Sequence, residues 1–399
     1  MDHVTISEDG GWCWFQDPRA LRHVDTRDVT YVGWISRTGD VQVGEVNHET
    51  GAISSTTLHA AFEPDDHDDP TLAIREDGRI IVFYTRHAGA SVRYRIGASP
   101  EDISQFGPEH QLTPGSSPRV TYPNPRWIGD DLHLFLRNNG TLVDLVSSDG
   151  GDTWSAQREI VSTDGRGWCI YTKLSRSIDG EVHLGMTHAL GGTTQPHRHI
   201  YHARFDGEAV RRSDGTIVGK VGEDSLPVSM YETTPVVDSR DTGDDAWIWD
   251  CATIDGLPQL VYARLPSPDT HQYRYAWWDG VHWREEPVCD AGGPIVASER
   301  SEEQYYSGGI ALDHDVAGVC YAAIGDHAGS AITRFERSNG RWHSRPITSE
   351  TVQNIRPVVP WNRGDELAVC WARGRYDHFA PVMSDGEAAF RTNIVGTSR

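Results

Sequence analysis

Lysine is almost missing from this chain: Lys173 and Lys220 are the only two, and every other basic residue is arginine. With 58 Asp and Glu against 36 Lys and Arg, the net charge is −22. That balance argues against a nucleic-acid or anionic-membrane partner, because both would be repelled. A carboxylate-rich, lysine-poor surface is what an extreme halophile displays. Also missing is any apolar run long enough to span a membrane. The N-terminus, Met1-Asp2-His3-Val4, lacks the basic and apolar regions of a signal peptide, so a cytoplasmic protein is expected. The six cysteines are widely spread with no C-x-x-C; they read as buried small hydrophobes or free thiols, which argues against a disulfide framework or zinc site. Helical 3.6-residue periodicity is absent from every long window.

What is present is β-sheet signal. The 399 residues include 14 Trp and 14 Tyr, enough for a large aromatic-rich core. A strand, a polar turn and a second strand recur. The turns fall near Asp25–Asp28, Asp77-Gly78, Gly129-Asp130, Asp179-Gly180, Thr242-Gly243, Asp313–Val316 and Asn362–Gly364. The spacing of roughly 50 residues, stretched in two intervals, fits propeller blades with insertions. Further strands are expected over 41–46, 91–96, 142–147, 199–204, 271–278 and 331–336. The run Ser147-Ser148-Asp149-Gly150-Gly151-Asp152-Thr153-Trp154 fits the S-x-D-x-G-x-T-W pattern called an Asp box, with degenerate echoes at Trp278–Trp283 and Ser338–Trp342. The pattern marks fold rather than activity. The expectation is an all-β, seven-bladed β-propeller spanning residues 1–399 as one domain, with two β-sandwiches as the competing arrangement.

One hairpin carries a functional argument. His67 in D-D-H-D-D-P and His87 in Y-T-R-H are each ten residues from Asp77, at the centre of the turn Glu76–Arg79. Residues equidistant from a hairpin turn lie opposite each other, so the two imidazoles should converge at its open end. The same count pairs Tyr122 with Arg137 about Gly129-Asp130, and Tyr171 with His188 about Asp179-Gly180. Lys173 and Arg198 are close in sequence. Each residue has a purely structural reading: a solvated histidine, a tyrosine stacked in a turn before Pro123, an interblade ion pair at Arg137. Joint placement on three successive hairpins favours a site. Groups that pass protons near neutrality, beside a fixed cation, suit acid/base chemistry. No phosphate loop, H-E-x-x-H, serine–histidine–acid order or glycosidase carboxylate pair stands out. Such a set suits β-elimination from a uronic acid. Arginine neutralises the C6 carboxylate, a histidine or tyrosine takes the C5 proton, and another donates to the departing O4.

The chain resembles the BNR-repeat family of polysaccharide-active propellers, which includes ulvan lyases, rhamnosyl-glucuronate lyases and rhamnosidase-type hydrolases. The resemblance runs from Gly11-Trp12-Cys13-Trp14-Phe15 and Asp17-Pro18-Arg19 through D-D-H-D-D-P, Y-T-R-H and T-Y-P-N-P. It continues through W-I-W-D (Trp247 to Asp250), H-Q-Y-R-Y-A-W-W-D-G from His271 and Y-S-G-G-I from Tyr306, then R-P-V-V-P from Arg356 and W-A-R-G-R-Y from Trp371. Singly these strings are weak; in this order they are fairly specific. The resemblance implies catalytic roles for His67, His87 and Tyr122 in acid/base work and for Arg137 at the carboxylate. It implies substrate contacts at Tyr171, Arg198, Arg300 and Tyr306, to which the hairpin placement adds Lys173 and His188 as substrate-binding candidates. The expected reaction is cleavage of α-L-rhamnosyl-(1→4)-D-glucuronate by a lyase acting as a monomer on a uronate-containing oligo- or polysaccharide. No cofactor is required for that chemistry. Some relatives carry a structural calcium or zinc; here a calcium site among the many Asp residues stays open. The alternatives are a hydrolase of the same linkage and a non-catalytic carbohydrate-binding propeller. A sialidase ranks below these, because no R-I-P string enters the first blade.

Overall fold

The computed structural model describes residues 3–189, 197–267, 269–296, 306–349, 352–377 and 388–397. Among them there is no α-helix, and so none that could cross a membrane. Apart from two single 3-10 turns, Asp66–Asp68 and Met230–Glu232, regular structure is β-sheet, nearly all of it antiparallel. The chain divides into two compact units, Met1–Pro125 with Gly293–Arg399, and Arg126–Gly292.

The first unit is built from four-stranded antiparallel meanders. One comprises Ala20–Val24, Asp28–Ile35, Val41–Asn47 and Ile53–His59; the next comprises Thr71–Ile74, Ile80–Thr85, Val92–Ile96 and His110–Leu112. A third contains Ile310–Leu312, Val319–Asp326, Gly329–Ser338 and Arg341–Pro346. The last joins both ends of the chain, because Val4–Ser7 pairs with Phe390–Thr397 beside Val369–Tyr376 and Gln353–Val358. Inner strands such as Ile80–Thr85 are buried at every residue. Burial on both faces is why they read as continuous apolar runs instead of alternating ones. Between Ile74 and Ile80 the chain reverses at Gly78, whose φ of 78° only glycine adopts without strain.

The second unit begins at Arg126, within the strand Val120–Ile128, and continues with Asp131–Asn138, Thr141–Ser147 and Arg158–Ser162. Ile170–Leu174, Val182–His188 and Ile200–Phe205 are neighbours in another sheet, and the four long strands Asp245–Ile254, Leu257–Ser267, Thr270–Trp278 and Trp283–Gly292 pair antiparallel in sequence order. Phe135, Leu174, Met186, Phe205 and Met230 lie in one core cluster of this unit. The Asp box is formed as its pattern requires. The Asp149 carboxylate accepts from the backbone N–H groups of Asp152 (3.0 Å) and Thr153 (2.8 Å) and from Thr153 Oγ1 (2.6 Å), closing the turn.

Two turn assignments need correction. Thr242-Gly243 does not close a hairpin, because Thr234–Val237 on its N-terminal side pairs with Ile200–Phe205. The hairpin turn of that region is Asp255-Gly256, joining Asp245–Ile254 to Leu257–Ser267. At Asp179-Gly180 the turn stands where expected, but the register does not follow from counting. Ile178 bridges Glu181 while Ser175 N–H bonds to His183 O. Two residues, Arg176 and Ser177, therefore face the single Val182, which makes a β-bulge. His188 consequently pairs with Ile170, and Tyr171 with Thr187. A one-residue slip puts Tyr171 and His188 on opposite faces of the sheet.

Candidate active site

In the first unit the site grows from the D-D-H-D-D-P segment. Asp65 caps the 3-10 turn Asp66–Asp68, its carboxylate accepting from His67 N–H at 2.9 Å. The turn lifts His67 off the strand and over His87. The ladder pairs Thr71 with Phe83 and Ile74 with Ile80, so position 67 extrapolates opposite 87, as the count about Asp77 expects. The two imidazole rings stack with centroids 4.0 Å apart and planes 5° from parallel.

One carboxylate serves both rings. Asp65 lies 2.6 Å from His67 Nδ1 and 3.2 Å from His87 Nδ1. An acceptor on Nδ1 selects the tautomer that leaves Nε2 as the outward nitrogen. His67 Nδ1 is also 2.9 Å from Asp66. Asp66 in turn pairs with Arg356 and accepts from Tyr376 Oη at 2.8 Å. Burial opposes a charge on His67, but Asp65 and Asp66 outweigh it and raise its pKa well above the ordinary value. Burial likewise opposes ionisation of Asp66, yet Arg356 and His67 hold it well below the usual carboxylate range. His67 is therefore an imidazolium, 3% exposed, while the His87 side chain is 30% exposed. Of the two rings, His87 is the reachable one.

Tyr122 stands beside them, its ring 5.8 Å from that of His67. Its φ is 61°, a left-handed conformation that costs energy for a bulky residue, more so before Pro123. Asn124 holds it there. The Asn124 Nδ2 donates to Tyr122 O and Phe15 O, both at 3.0 Å, and Oδ1 accepts from Asp17 N–H. Arg356, also before a proline, has φ 53°. An aromatic chain links Tyr122 to Phe15 (5.4 Å), Phe15 to Trp14 (5.0 Å) and Trp14 to Tyr306 (5.3 Å), so Tyr306 joins this group.

In the second unit, Arg137 lies 4.7 Å over the Tyr171 ring, and Tyr171 packs 5.0 Å from Trp247. Arg198 sits 5.5 Å over the same tryptophan and bonds Asp245 at 2.6 Å. Arg137, Tyr171 and Arg198 are thus brought together, with Trp247 as the shared platform. Lys173, two residues along on the Tyr171 face, is buried, and its charge is felt at the Cys251 thiol. His188 belongs to a different environment, near His199 (6.0 Å) and Tyr231 (5.8 Å). Burial pushes its pKa down to about 4, so it stays neutral. Arg300 lies outside the described residues.

The residues that sequence reasoning missed are the ones that hold others in place: Asp65, Asp66, Arg356, Tyr376, Trp14 and Trp247. Several stood in quoted strings, but nothing local pairs Asp66 with an arginine 290 positions away. Three groups among the described residues have metal-ligand spacing: Asp65, His67 and His87; Glu63, Asp65 and Asp68; and His23, Asp25 and Glu101.

Comparison with known proteins supplies the wider setting. Residues 29–291, more than half of the chain, match the model described as BNR repeat-containing family member. A PL25 ulvan lyase bound to -[GlcA(1-4)Rha3S]- superposes with a TM-score of 0.74 at 14% identity, covering 100% of this chain and 96% of that one. The polysaccharide lyase Uly1 gives 0.62 at 13% identity, with 100% and 98% covered. The BP39L lectin of Burkholderia pseudomallei gives 0.57 at 12% identity, with 96% and 94% covered. No curated protein matches the sequence. The fold is that of an all-β propeller.

Proposed function

This chain belongs to the BNR repeat-containing family, and from that premise we propose that it is a polysaccharide lyase cleaving α-L-rhamnosyl-(1→4)-D-glucuronate linkages by β-elimination. The observation that carries the reading is a pair of stacked imidazoles sharing Asp65, with Tyr122 beside them. His87, the exposed ring, takes the C5 proton at Nε2. The electrons left on C5 move into the carboxylate as an enediolate and then expel O4, which leaves protonated by the Tyr122 hydroxyl. The products are a 4,5-unsaturated uronate and a free rhamnose hydroxyl. His67 cannot be the base, because it already carries a proton; its charge stabilises the enediolate. Arg137 is assigned the C6 carboxylate, since a planar guanidinium matches a carboxylate and acidifies the adjacent carbon.

The oligosaccharide held by the ulvan lyase, glucuronate linked to sulfated rhamnose, supports the substrate class. The chemistry calls for no redox or group-transfer cofactor. A second reading, a sugar-binding propeller without catalysis, is favoured by the likeness to the lectin. Incubation with rhamnosyl-glucuronate oligosaccharides separates the readings. Elimination gives ultraviolet absorbance from the unsaturated uronate and products lighter by one water than those of hydrolysis. Sugar release without absorbance means a hydrolase of the same linkage. Binding without release means a lectin.

A further inference from the structure

Among the described Trp, Tyr and Phe residues, Trp168 alone is exposed, at 67%. Tryptophan is highly buried on average, so a bare indole asks for a reason. The backbone beneath it is tied down. After Arg158–Ser162 the chain reverses through Asp164 (φ 52°) and Gly165 (φ 68°). Thr163 Oγ1 donates to Gly167 O at 2.6 Å, and Arg166 N–H donates to Thr163 O at 3.0 Å. The Arg166 guanidinium donates to Ser229 Oγ at 2.8 Å and lies 4.1 Å over the Tyr231 ring. Trp168 N–H donates to Ala189 O at 3.2 Å. A fixed loop therefore holds an indole out in solvent.

The loop stands beside the group already described in this unit. Asn139-Gly140 closes the hairpin that carries Arg137. Ile170 N–H donates to Gly140 O at 2.9 Å, and a Cβ on Gly140 would stand 2.9 Å from Trp168 O. Glycine lets that turn and the Trp168–Ile170 backbone approach each other. Cys169, the next residue, accepts from Arg137 Nη1 at 3.8 Å, and Tyr171 lies under the same guanidinium. Three residues of chain span at most about 11 Å. Trp168 thus flanks the Arg137, Tyr171 and Trp247 group closely enough for one oligosaccharide to meet both.

The two neighbours suit different sugars. An indole face is the negative side of a quadrupole, so it attracts C–H groups and disfavours carboxylates. Rhamnose, a 6-deoxy sugar, offers ring hydrogens and a methyl group. Glucuronate carries its carboxylate at that same carbon, where a guanidinium suits it. Resting on the substrate reading above, we infer that Trp168 stacks on a rhamnose next to the glucuronate assigned to Arg137. It thereby selects an alternating chain over a run of uronates.

The test is calorimetric titration of a rhamnosyl-glucuronate tetrasaccharide, and of an oligoglucuronate, into the full chain carrying His87→Ala to suppress turnover. Adding Trp168→Ala should weaken tetrasaccharide binding by about three- to tenfold and leave oligoglucuronate binding unchanged. Trp168→Phe, which keeps an aromatic face, should retain most of the affinity. With His87 intact, the loss in Trp168→Ala should fall on KM rather than kcat. Tm should hardly move, because the side chain is exposed. Unchanged tetrasaccharide affinity in Trp168→Ala, or an equal loss for both ligands, overturns the assignment while the lyase reading stands. An unaltered chain that neither binds nor cleaves the tetrasaccharide overturns both. Conversion of a dimer to a monomer by Trp168→Ala, with affinity kept, would give the indole to a second copy of the chain instead.

Discussion

Replacing the two stacked histidines one at a time should separate a structural cost from a catalytic one. His67 is a buried cation between two buried aspartates. Removing it leaves those carboxylates short of a partner, and breaking a buried pair costs about 3–5 kcal/mol. Arg356 still neutralises Asp66 and His87 still approaches Asp65. His67→Ala should therefore fall at the low end, about 3 kcal/mol. His87 is nearly one-third exposed and meets Asp65 only at 3.2 Å, so this contact contributes under about 1 kcal/mol. As the proposed base, its loss should slow turnover by about 10²–10⁴-fold. Denaturant titration and the rate of unsaturated-uronate formation, measured on both variants, give the two axes. Equal loss of stability in the two variants would refute the electrostatic asymmetry. Full turnover by His87→Ala would refute its role as base.

Three other outcomes follow from particular groups. Arg137→Ala should lower kcat/KM on a uronate substrate while leaving activity on the same sugar with its carboxyl methyl-esterified nearly unchanged; equal losses on both would remove Arg137 from the carboxylate. His183 and His188 are pushed down by burial to about 3 and about 4, and His202 also lies well below 6.5. The unfolded chain then binds more protons than the folded one between about pH 6.5 and pH 4, so stability falls on acidification through that window. His188→Gln should flatten that slope, and an unaltered slope would mean that His188 titrates normally. Finally, a chain of net charge −22 should gain Tm as salt rises from dilute to molar levels, because screening relieves self-repulsion. A Tm that is flat or falls with salt would remove the halophilic reading.

How far the sequence could be read depended on what lay between a turn and a site. Around Asp77 the ladder runs without a bulge from Ile74 to Thr71, so ten residues of counting placed His67 opposite His87. Around Asp179 the same count failed by one, because Arg176 and Ser177 share a place opposite Val182. A bulge carries no residue signature strong enough to see in a single chain, and with a period of two the error turns a side chain to the other face. Thr242-Gly243 misled for another reason. Its turn chemistry is sound, but the strand before it pairs with Ile200–Phe205, and non-local pairing overrides a local signal.

The site divides along the same line. Residues that touch each other across one hairpin were legible, and those that set their protonation were not. His67 is an acid/base candidate from its type and place, yet its charge is decided by Asp66, whose own state is decided by Arg356 at the far end of the chain. The two prolines that follow Tyr122 and Arg356 mark the compromise: each stands after a residue in a left-handed conformation that local preference resists. Strain of that kind persists only where the surroundings over-determine it. Asn124 supplies three bonds around Tyr122, and Trp12 with Asp66 grips Arg356. A tyrosine packed beside His67 and an arginine paired to Asp66, both fixed against preference, make a prearranged set of groups. Prearrangement is what an enediolate needs, since dipoles and charges already in place cost no reorganisation when its charge develops.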